Sequence, residues 1–415
     1  VTPGVSAELA RRAVLGALAR MRGGRLEIDE GARRLGFGPV DSRLRARIEV
    51  RDGRAYRWAL RGSTGLGEGY VDGLWMTDDL VALSRIACRN LAPWDRWRRR
   101  LQPLVGPLQR IGGLVPRNTR AGATANISAH YDLGNRLFES FLDRRLIYSC
   151  AWFPGPDATL DDAQLAKLER ICERLDLGPG DHLLEIGSGW GGLAVHAAQT
   201  RGCRVTTTTI SREQHAYATR RVREEGLGDR VEVLLRDYRD LTGSYDKVAS
   251  IEMIEAVGWQ YFPAFFAKCA ELTRAAGTMF LQAIVIDDGV YEAEKAARSF
   301  ANKHIFPGGC LPSQALITRL ATAVGMPPAW LEEITPHYAR TLAAWRDRFN
   351  DAWPHLRTLG YDERFRRLWN FYLASSEGGF RERRIRDLQL LLAKPGWRGG
   401  AGAVPAAAAS AASAV

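Results

Sequence analysis

Residues 183–194 read LLEIGSGWGGLA: an apolar run, one carboxylate, glycines crowded into a turn, then the start of a helix-like pattern. Strand, Gly-rich turn and helix come in that order, and Gly187, Gly189 and Gly192 satisfy the G-x-G-x-x-G spacing of nucleotide-binding βαβ units. Glycine suits such a turn because a side chain would block close approach of the backbone to a ligand. Outward from it, residues 161–287 alternate regularly: helix 162–176, strand 182–186, helix 191–199, strand 204–208, helix 212–225, strands 231–235 and 246–251, helix 261–274, strand 278–286. Strands separated by helical stretches are parallel βαβ units. The sequence therefore predicts an α/β fold with a doubly wound, Rossmann-like sheet whose ligands gather at the carboxyl ends of its strands.

Residues beyond the turn narrow the choice of nucleotide. A dinucleotide site wants an acidic residue about 20 positions on, to bind a ribose. Here the second strand ends in RVTTTTIS (204–211) without a carboxylate, and the next acid, Glu213, is already inside a helix. The segment offers instead Glu185 just before the turn, hydroxyl and amide groups at Thr209, Ser211 and Gln214, and Asp237 at the end of the third strand, where it can meet an adenine edge. That set suits a cationic ligand without phosphates: Glu185 near an ammonium group, backbone N–H groups toward a carboxylate, polar side chains at a ribose. S-adenosylmethionine (SAM) is such a ligand. The alternative, that the glycines only close a helix onto a sheet, fails to explain why three strand ends agree.

At 415 residues the chain is too long for one ordinary core, and two domains with a tail are expected. Residues 1 to about 90 alternate helix-like and strand-like stretches, RARIEVRDG and YRWAL among them, and close with a helix at DDLVALSRIACRN. This predicts a smaller N-terminal α+β domain, extending with a basic linker over 1–120. The SAM-binding domain spans 121–395, and the Ala/Gly-rich segment 396–415 reads as a disordered tail. The formal charge of +11 is concentrated: nine arginines against one acid, Asp95, lie between Arg85 and Arg120, beside Trp94 and Trp97. Arginine and tryptophan interleaved with apolar residues suit an anionic lipid surface. A solvated basic linker fits equally well, and nucleic acid lacks any groove-entering motif. No stretch approaches the roughly 18 apolar residues of a membrane span, and no signal-peptide order is visible, so a cytoplasmic protein, peripheral at the inner membrane face, is expected. The six cysteines are scattered singly, which argues against a disulfide framework or a metal site.

Taken together, YDLGN (131–135), YSCAWF (148–153), EIGSGWGGLA, TISREQ, RDYRD, SIEMIEAVG (250–258), IFPGGCLPS (305–313) and HYARTL (337–342) resemble the cyclopropane-fatty-acyl-phospholipid synthases, in order and spacing. EGYVDGLWMTDDLVAL (68–83) is similar to the N-terminal domain of the bacterial members. The resemblance implies a SAM-dependent methyltransferase that adds a methylene bridge across a cis double bond of an unsaturated phospholipid acyl chain. It implies SAM contacts at Tyr148, Ser149, Glu185, Gly187, Ser188, Gly189, Trp190, Gly191, Thr209, Ile210, Ser211, Gln214, Asp237 and Tyr238. It also implies a bound bicarbonate ion as base, held by Cys150, Glu255, Gln282, Ile284 through its backbone, and Tyr338. Some members carry His where this chain has Gln282; a Gln amide still donates to an anion but does not titrate. Family members can be dimers, and a homodimer is carried over as an expectation.

The chemistry explains the residue types. An isolated alkene is a poor nucleophile and must be positioned against an activated methyl group. The cation left on the chain must be kept from water and closes to a ring only when a base within reach removes a proton. Loss of a different proton gives a methylene branch, and later reduction a methyl branch. Methylation of a small-molecule amine is a second alternative, and an inert nucleotide fold serving as a membrane module a third.

Overall fold

The computed structural model describes residues 7–91 and 134–399. The Trp/Arg stretch from 92 to 120, Tyr131, and the tail beyond 399 lie outside the described residues. The chain divides into two compact units, each built from separated segments.

The first unit joins 7–91 to 296–305 and 342–385, whereas the sequence reading draws one contiguous boundary near residue 120. Its four-stranded sheet has the order β2-β1-β3-β4, with β1 Arg25–Asp29, β2 Arg34–Phe37, β3 Arg45–Val50 and β4 Trp75–Thr77. Leu26, Ile28 and Ala46 cluster with Ala82 and Ile86 of helix Leu80–Asn90. That helix begins where the Asp79 carboxylate accepts the Ala82 N–H at 2.9 Å, an N-cap. RARIEV forms β3, while YRWAL falls largely in helix Arg54–Ala59. Helix Glu363–Arg381 packs against Leu80–Asn90 so closely that a Cβ on Gly378 would lie 2.5 Å from Ser84 Oγ. Beside that contact Arg85 and Arg89 both donate to Glu382 at 2.7 Å. Two of the nine clustered arginines thus already have a carboxylate.

The second unit holds 134–295, 306–341 and 386–399 of the described chain. Its seven-stranded sheet has the order β10-β11-β9-β8-β5-β6-β7, with β5 His182–Ile186, β6 Arg204–Thr209, β7 Val231–Leu235, β8 Tyr245–Ile251, β9 Thr273–Ile286, β10 Pro328–Glu333 and β11 Ile385–Ala393. From β9 to β7 every neighbouring pair is parallel, as the βαβ alternation requires. The last two strands, antiparallel to each other, lie beyond the stretch where the alternation is legible. Leu184, Val248 and Leu281 pack against helices Phe262–Leu272 and Gln314–Ala323, while Leu183, Val205, Ala249 and Phe280 pack against Leu160–Leu175 and Gly192–Arg201. Both faces of the sheet are covered, which is why its strands read as continuous apolar runs.

Connections from β5 run toward β6 and β7, then back across to β8 and β9. The strand order therefore reverses between β5 and β8, the place where doubly wound sheets open a crevice at their carboxyl ends. Gly396 and Trp397, expected at the head of a disordered tail, are anchored: the Gly396 N–H donates to Ala275 C=O at 3.0 Å. All six cysteines are free thiols, and no described helix is long and apolar enough to cross a membrane.

Candidate active site

A cavity opens at that reversal, walled by the Gly-rich turn, the ends of β6 and β7, and the segment after β8. All the cofactor residues expected from the sequence line it except Gly191 and Ser211. Gly191 has φ +83° and sits 3.2 Å, measured from an added Cβ, from the Ala218 methyl, so it serves helix packing. Ser211 is the N-cap of helix Arg212–Glu224, its hydroxyl accepting the Gln214 N–H at 3.3 Å. Gly189, at φ +49°, faces open space where a side chain would project. Not all of the turn's amides are available to a ligand. The Gly187 and Ser188 N–H groups both donate to Thr208 C=O, at 3.0 and 2.9 Å, so neither is among the backbone groups left to face a carboxylate.

Glu185 is the acid at the base of this wall. It is buried, its one side-chain hydrogen bond among the described residues comes from Thr207 Oγ1 at 2.6 Å, and desolvation pushes its pKa up to about 8. A carboxyl so placed is stabilised in its ionised form by a cation entering the cavity. Thr209 Oγ1 orients Gln214 at 2.9 Å. Asp237 is held by Arg239 through its backbone N–H and guanidinium at 2.6 to 2.9 Å, and the neighbouring Tyr238 hydroxyl is enclosed with no partner among the described residues.

Of the five residues expected to hold a bicarbonate, Cys150, Gln282 and Tyr338 converge on the side chain of Glu252, while Ile284 and Glu255 pair with each other. Glu252 Oε1 accepts the Cys150 N–H at 2.8 Å and the Gln282 amide at 2.7 Å, and its Oε2 accepts the Tyr338 hydroxyl at 2.6 Å. Glu252 comes directly after β8 and lines the cavity. Its φ of +50° is a conformation that L-residues rarely take, fixed by its own N–H donating to Gln282 C=O at 2.9 Å. The Ile284 N–H, expected near the bicarbonate, donates to Glu255 Oε1 at 2.6 Å. The Cys150 thiol is fully buried against Ala151 C=O, with a pKa pushed far up by burial and nearby carboxylates; its backbone N–H serves Glu252 while the thiol also meets Asp387. These three donors are already taken by a carboxylate of the chain, so the residues as placed leave none of them for a bicarbonate.

The surroundings of Glu252 are ionisable throughout. Asp387 of β11 accepts the Gln282 amide at 2.9 Å, while Gln389 Nε2 donates to Gln282 Oε1 at 3.0 Å. Two carboxylates at one end of Gln282 and an amide donor at the other fix which way its side chain points. Enclosure raises the pKa of Glu252, Asp387 and Glu255, the last to about 8, with Lys167 opposing the shift at Glu252. Sequence reasoning misses Glu252 and Lys167. The signals are present: a carboxylate one residue past a strand end at the ligand edge, and a lysine on the apolar stripe of helix Leu160–Leu175. His337 accepts the Phe153 N–H at 3.1 Å, and no metal-binding cluster occurs among the described residues.

A doubly wound sheet with an acid-floored, glycine-walled crevice, and no second acid for a dinucleotide ribose, defines a SAM-dependent methyltransferase. Residues 118–390 match the mycolic acid cyclopropane synthetase family, and the chain belongs to it. It is 39% identical over 357 residues to the tuberculostearic acid methyltransferase UfaA1 of Mycobacterium tuberculosis, covering 83% of this chain and 82% of that one. It is 36% identical over 363 residues to the cyclopropane-fatty-acyl-phospholipid synthase of Escherichia coli, covering 86% and 89%. The crystal structure of mycolic acid cyclopropane synthase CmaA1 with SAH and CTAB superposes with a TM-score of 0.61 at 30% identity, over 65% of this chain and 98% of that one.

Proposed function

We propose that this chain transfers a methyl group from SAM to the cis double bond of an unsaturated phospholipid acyl chain and closes it to a cyclopropane, with Glu252 as the resident base. SAM, when bound, would supply the electrophilic methyl carbon and leave as S-adenosylhomocysteine, the electron pair of the broken S–CH₃ bond staying on sulfur. Glu185 and the turn from Gly187 to Trp190 would hold it, with Thr209, Gln214 and Asp237 at the nucleoside. The alkene electron pair forms the new C–C bond, leaving positive charge on the acyl chain. Glu252 then accepts a proton from the transferred carbon, and the C–H electron pair forms the last ring bond. Tyr338, Gln282 and the Cys150 N–H fix the carboxylate for that step, and the cavity keeps water from the cation. The observation that carries this reading is the Glu252 carboxylate, fixed by three donors in the cavity wall.

A second reading, favoured by the similarity to a tuberculostearic acid methyltransferase, has a hydride move from the methylated carbon to the adjacent cationic carbon, after which Glu252 takes a proton from the transferred carbon and the C–H electron pair forms the double bond of a methylene branch. Purified protein with SAM and oleoyl-phospholipid vesicles separates the two. Ring closure adds one CH₂ with loss of olefinic proton signals, branching adds one CH₂ with a new vinylidene signal, and no gain of mass rejects both. The lipid substrate makes a peripheral protein at an anionic bilayer the fitting arrangement, with the stretch from Trp94 to Arg120 as its contact.

A further inference from the structure

Lys167 is only 1% exposed, yet it lines the same cavity wall as Glu185 and Glu252. Its ammonium donates to Ser149 Oγ at 2.5 Å and makes no ion pair among the described residues. Ser149 is itself held, its carbonyl accepting the Gln164 amide at 2.9 Å. Both Gln164 and Lys167 project from helix Leu160–Leu175, whose first turn is locked by a reciprocal Thr159–Asp162 capping box. The cation is thus mounted on a rigid element and aimed by a hydroxyl. Neither the cofactor contacts nor the proton transfer at Glu252 uses it directly.

Its role emerges from the charge balance of the cluster. Glu252, Glu255 and Asp387 are three enclosed carboxyl groups within mutual influence, and like charges so placed cannot all ionise. Lys167 is the cation that acts on them: burial lowers the pKa of its ammonium, and against that Glu252 is the largest charge holding it protonated, with Cys150, Asp143 and Asp387 after it. One enclosed cation balances one carboxylate. The hydrogen bonds decide which. Glu252 accepts three donors; Asp387 accepts the Gln282 amide and also meets the Cys150 thiol and the Glu252 carboxyl; Glu255 accepts the Ile284 N–H on one oxygen and its other oxygen has no partner among the described residues. Donors directed at a carboxylate favour its charged form, and Glu252 has the most of them, so of the three acids it is the one that most favours the negative charge Lys167 balances.

We infer that Lys167 is a positioning residue which, anchored by Ser149, keeps Glu252 ionised and ready to accept a proton. The inference rests on Glu252 being the base. Lys167 acts through the field across the cavity wall, where low dielectric makes a fixed charge effective. The charged and titratable groups facing the pair are Glu185 from β5, Cys150 and Asp143 from the preceding loops, Glu255 from the turn after β8, Tyr338 from helix Thr335–Asp351 and Asp387 from β11.

The test is the pH dependence of single-turnover product formation by full-length Lys167→Met, Lys167→Arg and Glu252→Gln proteins, alongside calorimetric binding of S-adenosylhomocysteine. Lys167→Met is expected to move the acid limb of the profile up by at least one pH unit, tenfold in proton affinity, and Lys167→Arg to restore most of it. At pH 7 the infrared difference between Lys167→Met and wild type should show one ionised carboxylate replaced by a protonated carboxyl, a change absent when Glu252→Gln is added. An acid limb within a few tenths of a unit of wild type in folded Lys167→Met overturns the inference. So does lost S-adenosylhomocysteine affinity with an unmoved limb, which would make Lys167 a cofactor ligand. Should Lys167→Met not fold, Ser149→Ala must move the limb in the same direction, and an unmoved limb there overturns it equally. The base assignment fails separately, by Glu252→Gln retaining the wild-type rate and acid limb.

Discussion

Replacing Glu252 by Gln tests the site most directly, because the structure separates what the change does to folding from what it does to chemistry. The carboxylate receives donors at 2.8, 2.7 and 2.6 Å. In the variant the amide oxygen still accepts from the Cys150 N–H and Gln282, and the Tyr338 hydroxyl can turn to accept from the new NH₂ group. No donor is stranded, and the cost to stability is the difference between charged and neutral hydrogen bonds, about 1–2 kcal/mol. Alanine would leave three enclosed donors without partners, at about 1–3 kcal/mol each, and is the wrong probe. Loss of a general base costs about 10²–10⁴ in rate, or roughly 3–5 kcal/mol of barrier. The assay is single-turnover conversion of oleoyl-phospholipid vesicles measured by mass spectrometry, with S-adenosylhomocysteine affinity determined in parallel. Product formation should fall at least a hundredfold while affinity changes less than about threefold. The small amount of lipid that still reacts should carry added water, since a cation without a base waits for a nucleophile. Product at more than a tenth of the wild-type rate, with an unchanged product spectrum, would refute the assignment.

Removing dissolved bicarbonate, by working under CO₂-free gas in a non-carbonate buffer, should leave the rate unchanged; a loss restored by added bicarbonate would contradict the resident carboxylate. Glu255→Gln should change stability in a pH-dependent way. With the native pKa raised to about 8, wild type keeps a proton that the unfolded chain releases above about 4.5, so this group erodes stability as pH rises from about 4.5 to 8. Relative to wild type the variant should therefore gain across that window, by on the order of 1–3 kcal/mol after allowance for its partial exposure, read from denaturant midpoints at pH 5 and 8. Replacing Arg96, Arg98, Arg99 and Arg100 by Gln should weaken binding to anionic vesicles, most at low salt; an unchanged salt response in a co-sedimentation assay rejects the membrane contact.

The parts of the molecule legible in sequence are those written in local periodicity. The turn at Gly187, the five parallel strands and the helices between them arise from apolar runs and glycine spacing, and their boundaries agree with the structure to within a few residues except at the start of β9, which runs back to Thr273. The final strands are hidden for physical reasons: β10 opens on a proline pair, and β11 comes after a long helix without a turn signal. That 296–305 and 342–385 join the N-terminal unit depends on contacts between residues far apart in sequence. At the site, the donors are legible and their acceptor is not. Cys150, Gln282 and Tyr338 are groups that would hold any carboxylate, and such groups do not distinguish a free ion from one tethered to the chain. Glu252 lies inside the SIEMIEAVG motif, yet its left-handed backbone, the feature that turns its side chain toward those donors, leaves no mark on the sequence when the residue is not glycine.

That left-handed conformation has a consequence for how this chemistry can vary. The main chain at 252 adopts a shape that glycine takes without strain, so shortening the side chain to hydrogen would relax the backbone while emptying a pocket the size of a small oxyanion, its three donors intact. A catalyst that carries its own proton acceptor and one that must borrow it from solution are therefore a single residue apart on this scaffold. The framework around the vacancy would need no redesign.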